Sequence, residues 1–385
     1  MIQSVSSIPA FDIKQQYATI EAEVSAAVLE VLASGRYIGG PVVESFEQQF
    51  AAYHHVNNCI ACNSGTDALY LALRALEIGG GDEVITTPFT FVATAEVISA
   101  VGAKPVFVDI DLNTFNLDLR QVAAAITANT KAIIPVHLFG QPVDMTTLMD
   151  IAQCHNLAVI EDCAQSTGAM WGHEKVGSIG HIGCFSFYPT KNLGGCGDGG
   201  AIATNDPQLA AKMRVIKEHG QKNRYSYEEI GVNSRLDSLQ AAILQIKLRY
   251  LDTWNSQRRA IAAYYQQFLQ QIPGVVAPQE LAGGVGVWNQ YTIRIYNPEG
   301  NDHNPSYRDS VRGQMQERGV SSMVYYPHPL HLQPAYQILG YQPGQLPMSE
   351  LVCHQVLSLP MFPELTHQQQ DQVIYALKDS LDGGK

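Results

Sequence analysis

Basic residues are scarce. The 385-residue chain carries 24 Lys and Arg against 36 Asp and Glu, a formal charge of −12. Clustered Lys and Arg supply the attraction in sequence-independent binding to nucleic acid or an anionic membrane, so neither is an expected partner. A small anionic substrate stays compatible, because a pocket can be positive on an acidic protein. Long apolar runs are missing as well. No window approaches the roughly 18 apolar residues of a membrane span, and the opening MIQSVSSIPAFDIKQQY lacks the basic-then-apolar order of a secretory signal. The seven cysteines are odd in number and dispersed, which argues against a disulfide framework and for reduced thiols in a cytoplasmic protein. Cys59 and Cys62 form a CxxC close after His54 and His55. No second pair at ligand spacing follows, and NCIAC reads as a buried strand, so small buried thiols fit better than a zinc site. Internal repeats and low-complexity tails are absent. So are the Walker pattern and a convincing GxGxxG, which deprives a dinucleotide reductase of its usual phosphate seat.

What is present is alternation. Candidate strands are NCIAC (58–62), EVITT (83–87), PVFVD (105–109), AIIPV (132–136), LAVIED (157–162), IGCFSF (182–187) and GAIAT (200–204). Helix-like stretches lie between them at 66–77, 91–101, 117–126 and 145–156. Strands of Val and Ile without strict polar alternation, separated by amphipathic helices, predict an α/β fold with a mostly parallel sheet covered on both faces. The chain is too long for one simple core. A large α/β domain with an N-terminal arm is expected over 1–255 and a smaller α+β domain over 256–385. The long helix at 236–255 would end the first, and a second helix at 256–270 would open the other. Further β-like pieces lie at 288–297 and 321–326, with helices at 306–318 and 366–381.

Ligands of open α/β sheets gather outside the carboxyl ends of the strands, and three local signals stand there. In ACNSGTDAL a strand ends and a helix starts after Ser64, Gly65 and Thr66. Exposed N–H groups, a hydroxyl and a glycine at a helix start can seat a phosphate, though an ordinary helix cap has the same look. In VIEDCAQSTGA two acids end an apolar strand, and period-two alternation sends Glu161 and Asp162 to opposite faces. A buried acid there needs a positive or protonated partner, unless it serves only as a cap. In FSFYPTKNLGGCGDGGAIAT, Ser186 and Lys191 flank a turn at Pro189, and the glycines after Lys191 leave room beside its amine. A partly desolvated lysine becomes a nucleophile toward carbonyls. Phosphate seat, buried acid and amine together are what pyridoxal phosphate requires: the lysine holds the aldehyde as a Schiff base, and the acid keeps the pyridine nitrogen protonated.

At these residues the chain resembles the DegT/DnrJ/EryC1/StrS family of pyridoxal-phosphate-dependent sugar aminotransferases. Matching stretches include RYIGGPVVESFEQQFA, NSGTDALYLAL, GDEVITTPFTFVATAEVI, KPVFVDIDLNTFNLD, IEDCAQSTGA, FSFYPTKNLGGCGDGGAIATND, GVNSRLDSLQAAIL and YPHPLHLQPAY. The resemblance implies the aspartate-aminotransferase-like fold (fold type I) in a homodimer whose active sites lie at the subunit interface. It implies that Lys191 is the Schiff-base lysine and that Asp162 pairs with the pyridine nitrogen. Gln165 would lie at the cofactor's 3-hydroxyl side, with Gly65, Thr66 and Ser186 at the phosphate and Phe89 stacked on the ring. Asn233 would reach the phosphate of the neighbouring subunit's cofactor. One departure stands out: many relatives acting on 3-keto sugars carry HYPxPLH-like loops, whereas YYPHPLH has Tyr325 at the histidine's place. Tyrosine is a poor proton carrier at neutral pH, its usual pKa being about 10, but it can hydrogen-bond a sugar. Tyr325, Tyr326, His328 and His331 are the expected substrate contacts. The implied reaction moves an amino group from L-glutamate to C3 of a dTDP- or UDP-linked keto-sugar. A C4 aminotransferase and a non-catalytic cofactor-binding regulator are the alternatives; a related dehydratase would replace the lysine by histidine.

Overall fold

The computed structural model of the chain describes residues 7–297 and 305–382. Its central sheet has seven strands: β1 (Asn58–Cys62), β2 (Glu83–Thr86), β3 (Lys104–Phe107), β4 (Thr130–Ile133), β5 (Ala158–Asp162), β6 (Ile182–Ser186) and β7 (Gly200–Thr204). They lie side by side in the order β1-β7-β6-β5-β4-β2-β3. Strands β3, β2, β4, β5 and β6 pair in parallel, and β7 runs antiparallel to both β6 and β1. An antiparallel pair needs no crossover helix. The segment between β6 and β7 is therefore free to be a loop, and that loop carries Lys191.

Helices precede and cover the sheet. Before it come α1 (Ile13–Ala18), α2 (Glu21–Ser34) and α3 (Pro41–His54), and between strands α4 (Gly65–Ala75), α5 (Ala93–Ala100), α6 (Leu119–Ala125), α7 (Met145–His155) and α8 (Pro207–Lys217). Alternation along each strand feeds two cores. Ile60 and Cys62 face α4 and α8 with Ile160, Ile182 and Ile202, whereas Cys59 and Ala61 face Phe46 and Phe50 of α3 with Phe185. The two CxxC thiols thus point to opposite faces and serve separate cores.

The helix expected to stop at 255 does not stop. α9 runs unbroken from Ser238 to Leu269, 32 residues, and absorbs the second helix expected at 256–270. Its polar stretch NSQRR changes composition but holds no Gly or Pro, and only those break a helix interior strongly. The first half packs Leu244, Leu248 and Leu251 under the large sheet, and the second packs Ile261, Tyr265 and Leu269 into the C-terminal core. That core is built on a small antiparallel sheet, β8 (Val275–Val276), β9 (Tyr291–Ile295) and β10 (Val356–Leu359). It is covered by α10 (Ser306–Glu317) and α12 (His367–Asp382), with α11 (Pro347–Gln355) leading into β10. The stretch 321–326 contributes a single bridge, Met323 to Ser358, instead of a strand, and the chain bends at Tyr325. Ile8 enters the same core through a bridge to Val320. No helix among the described residues is long and apolar enough to cross a membrane.

Candidate active site

The end of β5 sets the chemistry. Glu161 and Asp162 take opposite faces, and their fates differ. Glu161 is fully buried; one carboxylate oxygen accepts the N–H groups of Ile179 (2.9 Å) and Gly180 (2.6 Å). The other accepts from Gly177 N–H at 2.7 Å and His137 Nε2 at 3.0 Å. His137 Nδ1 accepts the Val143 N–H, which leaves the ring proton on Nε2, aimed at the acid. Glu161 is a structural knot. Asp162, also buried, accepts the Thr94 hydroxyl on Oδ2 at 2.8 Å and the Ala164 N–H on Oδ1 at 3.1 Å. Burial raises its pKa above the usual carboxylate value, while those two donors and the charge of Lys191 act the other way. A carboxylate in that position is best stabilised by a further positive partner.

Lys191 supplies the amine. Its side chain stands half-buried with no hydrogen bond or ion pair on Nζ among the described residues. Enclosure by protein pushes its pKa down to about 8, against the opposing pull of Asp162. The loop is held by side-chain amides that sequence reasoning did not single out. Asn192 donates to Asn255 Oδ1 (2.7 Å) and to the Val287 carbonyl (2.9 Å). Asn289 donates to Asn192 Oδ1 (2.8 Å) and the Thr190 carbonyl (3.2 Å). The glycines play a different part from the one expected. A Cβ on Gly194 would lie 2.3 Å from the Pro189 carbonyl oxygen, and Cβ atoms on Gly195 and Gly197 would press on the Gln240 amide. They let the loop fold back on itself and on α9; the space they leave is filled by backbone and by Gln240 rather than kept open for the amine.

Ser64, Gly65 and Thr66 meet Ser186 where α4 starts beside the end of β6. Ser64 caps α4 by accepting the Asp67 N–H. The N–H groups of Gly65 and Thr66 lie in the first turn, where no intrahelical acceptor exists. A Cβ on Gly65 would stand 2.7 Å from Ser186 Cβ and 3.3 Å from its Oγ, and one on Gly200 would meet the Ser64 carbonyl at 2.3 Å. Glycine at 65 therefore brings free N–H donors against the Ser186 hydroxyl, with Thr66 beside them.

The remaining expected residues divide. Gln165 Oε1 accepts the Phe139 N–H at 2.6 Å, which turns its amide NH2 toward the Tyr326 hydroxyl at 3.4 Å. Tyr326, its pKa raised by burial and by Asp162, belongs to this cluster. Phe89 is fully buried among Phe115, Phe139 and Tyr326, whereas Phe91, two residues on, is 58% exposed and also borders Tyr326. Tyr325 is partly exposed near the exposed Tyr188, and burial raises its hydroxyl pKa. His328 is exposed. His331 is not: it is 1% exposed, with Nε2 3.2 Å from Glu350, and it braces its loop against α11. Asn233 is exposed too, in a cleft of about 420 Å³ shared with Asn63, Ile38 and Arg235.

Pyridoxal phosphate fits this donor set. An unpaired amine of lowered basicity, a buried acid with unfilled lone pairs, and free N–H groups beside a hydroxyl match its aldehyde, ring nitrogen and phosphate respectively.

Comparison with known proteins agrees. Residues 18–378 match the DegT/DnrJ/EryC1/StrS aminotransferase family. The chain is 49% identical over 370 residues to a Geobacillus stearothermophilus protein named pleiotropic regulatory protein, covering 96% of this chain and 97% of that one. It is 43% identical over 372 residues to a Streptomyces venezuelae dTDP-3-amino-3,4,6-trideoxy-alpha-D-glucose transaminase, covering 97% and 96%. The crystal structure of S. venezuelae DesV in complex with a ketimine intermediate superposes with a TM-score of 0.93. Identity there is 42%, over 98% of this chain and 99% of that one.

Proposed function

This chain belongs to the DegT/DnrJ/EryC1/StrS aminotransferase family, and on that premise we propose that it carries an amino group from L-glutamate to C3 of a dTDP- or UDP-linked keto-sugar. It is an enzyme, its cofactor is pyridoxal phosphate, and family members act on nucleotide-linked keto-sugars. The observation that supports the reading most is the unpaired Lys191 amine, lowered to about 8 beside Asp162. At pH 7 such an amine is neutral about a tenth of the time, against less than a thousandth for an ordinary lysine.

When bound, pyridoxal phosphate carries the amino group between the two substrates and takes up the electron pair left as the α-proton departs. The protein's part is positional and protonic. Nζ of Lys191 takes the α-proton of the amino donor and returns one in the reverse half. Asp162 holds the ring nitrogen protonated; Gly65 and Thr66 N–H with Ser186 Oγ hold the phosphate, and Gln165 lies at the 3-hydroxyl. Between Phe89 and Phe91, the exposure of Phe91 favours it as the ring that covers the cofactor. Tyr325, kept protonated by burial, donates a hydrogen bond to the sugar at the mouth, with Tyr326 and His328 nearby.

The assembly we propose is a homodimer in which Asn233 of the partner subunit completes the phosphate site. The exposed Leu29, Leu32, Tyr37 and Ile38 support a covered face. C3 transfer draws support from the relative named for a 3-amino sugar and from the YPHPLH loop. Purified enzyme, glutamate and a panel of nucleotide-linked 3-keto and 4-keto sugars test it, with products read by mass and NMR. Exclusive 4-amination would overturn the C3 assignment. A cofactor-loaded protein inert toward glutamate would favour the regulatory role that one relative's name carries. Lys191→Ala should lose the visible chromophore and all turnover; ordinary transamination by it would refute the lysine's role.

A further inference from the structure

Asp162 is held by a buried hydroxyl chain that none of the chemistry above uses. Thr94, in the first turn of α5 and 1% exposed, has one hydroxyl proton, and Asp162 Oδ2 takes it at 2.8 Å. Thr90 Oγ1, 3% exposed, lies 3.1 Å from Thr94 Oγ1. Since Thr94 has no second proton to give, Thr90 is the donor in that contact. The order is Thr90 to Thr94 to Asp162, and each bond in such a chain polarises the next. The other oxygen, Oδ1, is fixed locally by the N–H of Ala164, two residues further along the chain. With one donor on each oxygen, the carboxylate plane cannot turn, and its remaining lone pairs keep one direction.

Resting on the aminotransferase reading, we propose that Thr94, oriented by Thr90, is a positioning residue that aims the Asp162 carboxylate at the ring nitrogen of the cofactor. The chain pins one side of the acid so that the other meets the ring nitrogen without reorganisation.

The test uses the full-length protein stripped of cofactor. It is titrated by equilibrium dialysis with pyridoxal phosphate and with an analogue whose ring nitrogen is replaced by carbon. Thr94→Val keeps the shape and removes the hydroxyl, and Thr94→Ser restores it. Loss of a hydrogen bond to a charged group should weaken pyridoxal phosphate binding by Thr94→Val about ten- to a hundredfold. Thr94→Ser should stay within about threefold, and Thr90→Val should lose an intermediate amount. With the nitrogen-free analogue, Thr94→Val and the parent protein should bind alike, because Asp162 then has nothing to aim at. Unchanged binding by Thr94→Val would overturn the proposal. So would an equal loss with both compounds, which marks a merely structural effect. Unchanged binding by Thr90→Val would strike Thr90 from the chain. A parent protein that binds neither compound would instead overturn the enzyme reading itself.

Discussion

Replacing Glu161 by glutamine changes one oxygen to an NH2 and nothing in size. Each carboxylate oxygen of Glu161 accepts two protons, from Ile179 and Gly180 N–H on one side and from Gly177 N–H and His137 Nε2 on the other. Whichever way the new amide turns, its NH2 confronts two donors. Two hydrogen bonds to a charged group disappear, each worth about 1.5–3 kcal/mol, and donors are left facing each other in the interior. Some of that strain relaxes, so a net loss of about 3–5 kcal/mol is expected. An unfolding entropy of about 2.1 cal/mol/K per residue over 385 residues converts this to a fall in Tm of about 4–6 °C. Thermal melts of the cofactor-free protein at pH 7 measure it. Glu161 faces away from Lys191, so the variant should still form its visible chromophore well below the melt. A melting temperature within about 1 °C of the parent would refute the knot; a normal melt with a lost chromophore would move Glu161 into the active site.

Asp162→Asn should behave in the opposite way. Burial already disfavours its charge, so melting should hold steady or rise while transamination drops at least about a hundredfold, as parallel melts and steady-state assays would read. Gly65→Ala places a Cβ 2.7 Å from Ser186 Cβ; prising the two loops apart should cost about 1–3 kcal/mol of stability and weaken cofactor binding, read by melting and reconstitution titration. Lys191, lowered to about 8, is neutral in about 1% of molecules at pH 6 and half of them at pH 8. Its modification by an amine-selective reagent in the cofactor-free protein should rise about fiftyfold over that range and level off above it. Peptide mass analysis would follow it, and a steady tenfold rise per pH unit up to pH 10 would contradict the shift. The same lowering destabilises the fold: between about pH 8 and 10.5 the unfolded chain binds the extra proton, so stability contributed at this residue rises with pH there.

Strand order aside, the large sheet could be read from runs of Val and Ile, because burial on both faces leaves a local trace. Lys191, Asp162 and the Gly65 turn stood out as candidates for the same reason, each framed by its immediate neighbours. What escaped is contact across the chain. Thr94 reads as any threonine at a helix start until β5 brings Asp162, 68 residues away, against it. Asn192, Asn255 and Asn289 look like ordinary polar residues until α9 and the segment before β9 close on the lysine loop. Phe89 and Phe91 share a loop, where no period tells which ring turns inward. His331 sits in a motif that suggests substrate, but Glu350, 19 residues later, draws it into the interior.

The unbroken α9 has a mechanical consequence. At about 1.5 Å per residue its 32 residues make a rod of about 48 Å, clamped at several points. Lys247 grips the Gly194 carbonyl, Asn255 the Thr167 carbonyl, and Arg258 the Trp288 and Met361 carbonyls. A gene cut after residue 255 would yield two fragments that each bare half of this rod, so soluble material should come only from co-expressing them. Any tilt of the C-terminal cap turns the same shaft that carries the lysine loop.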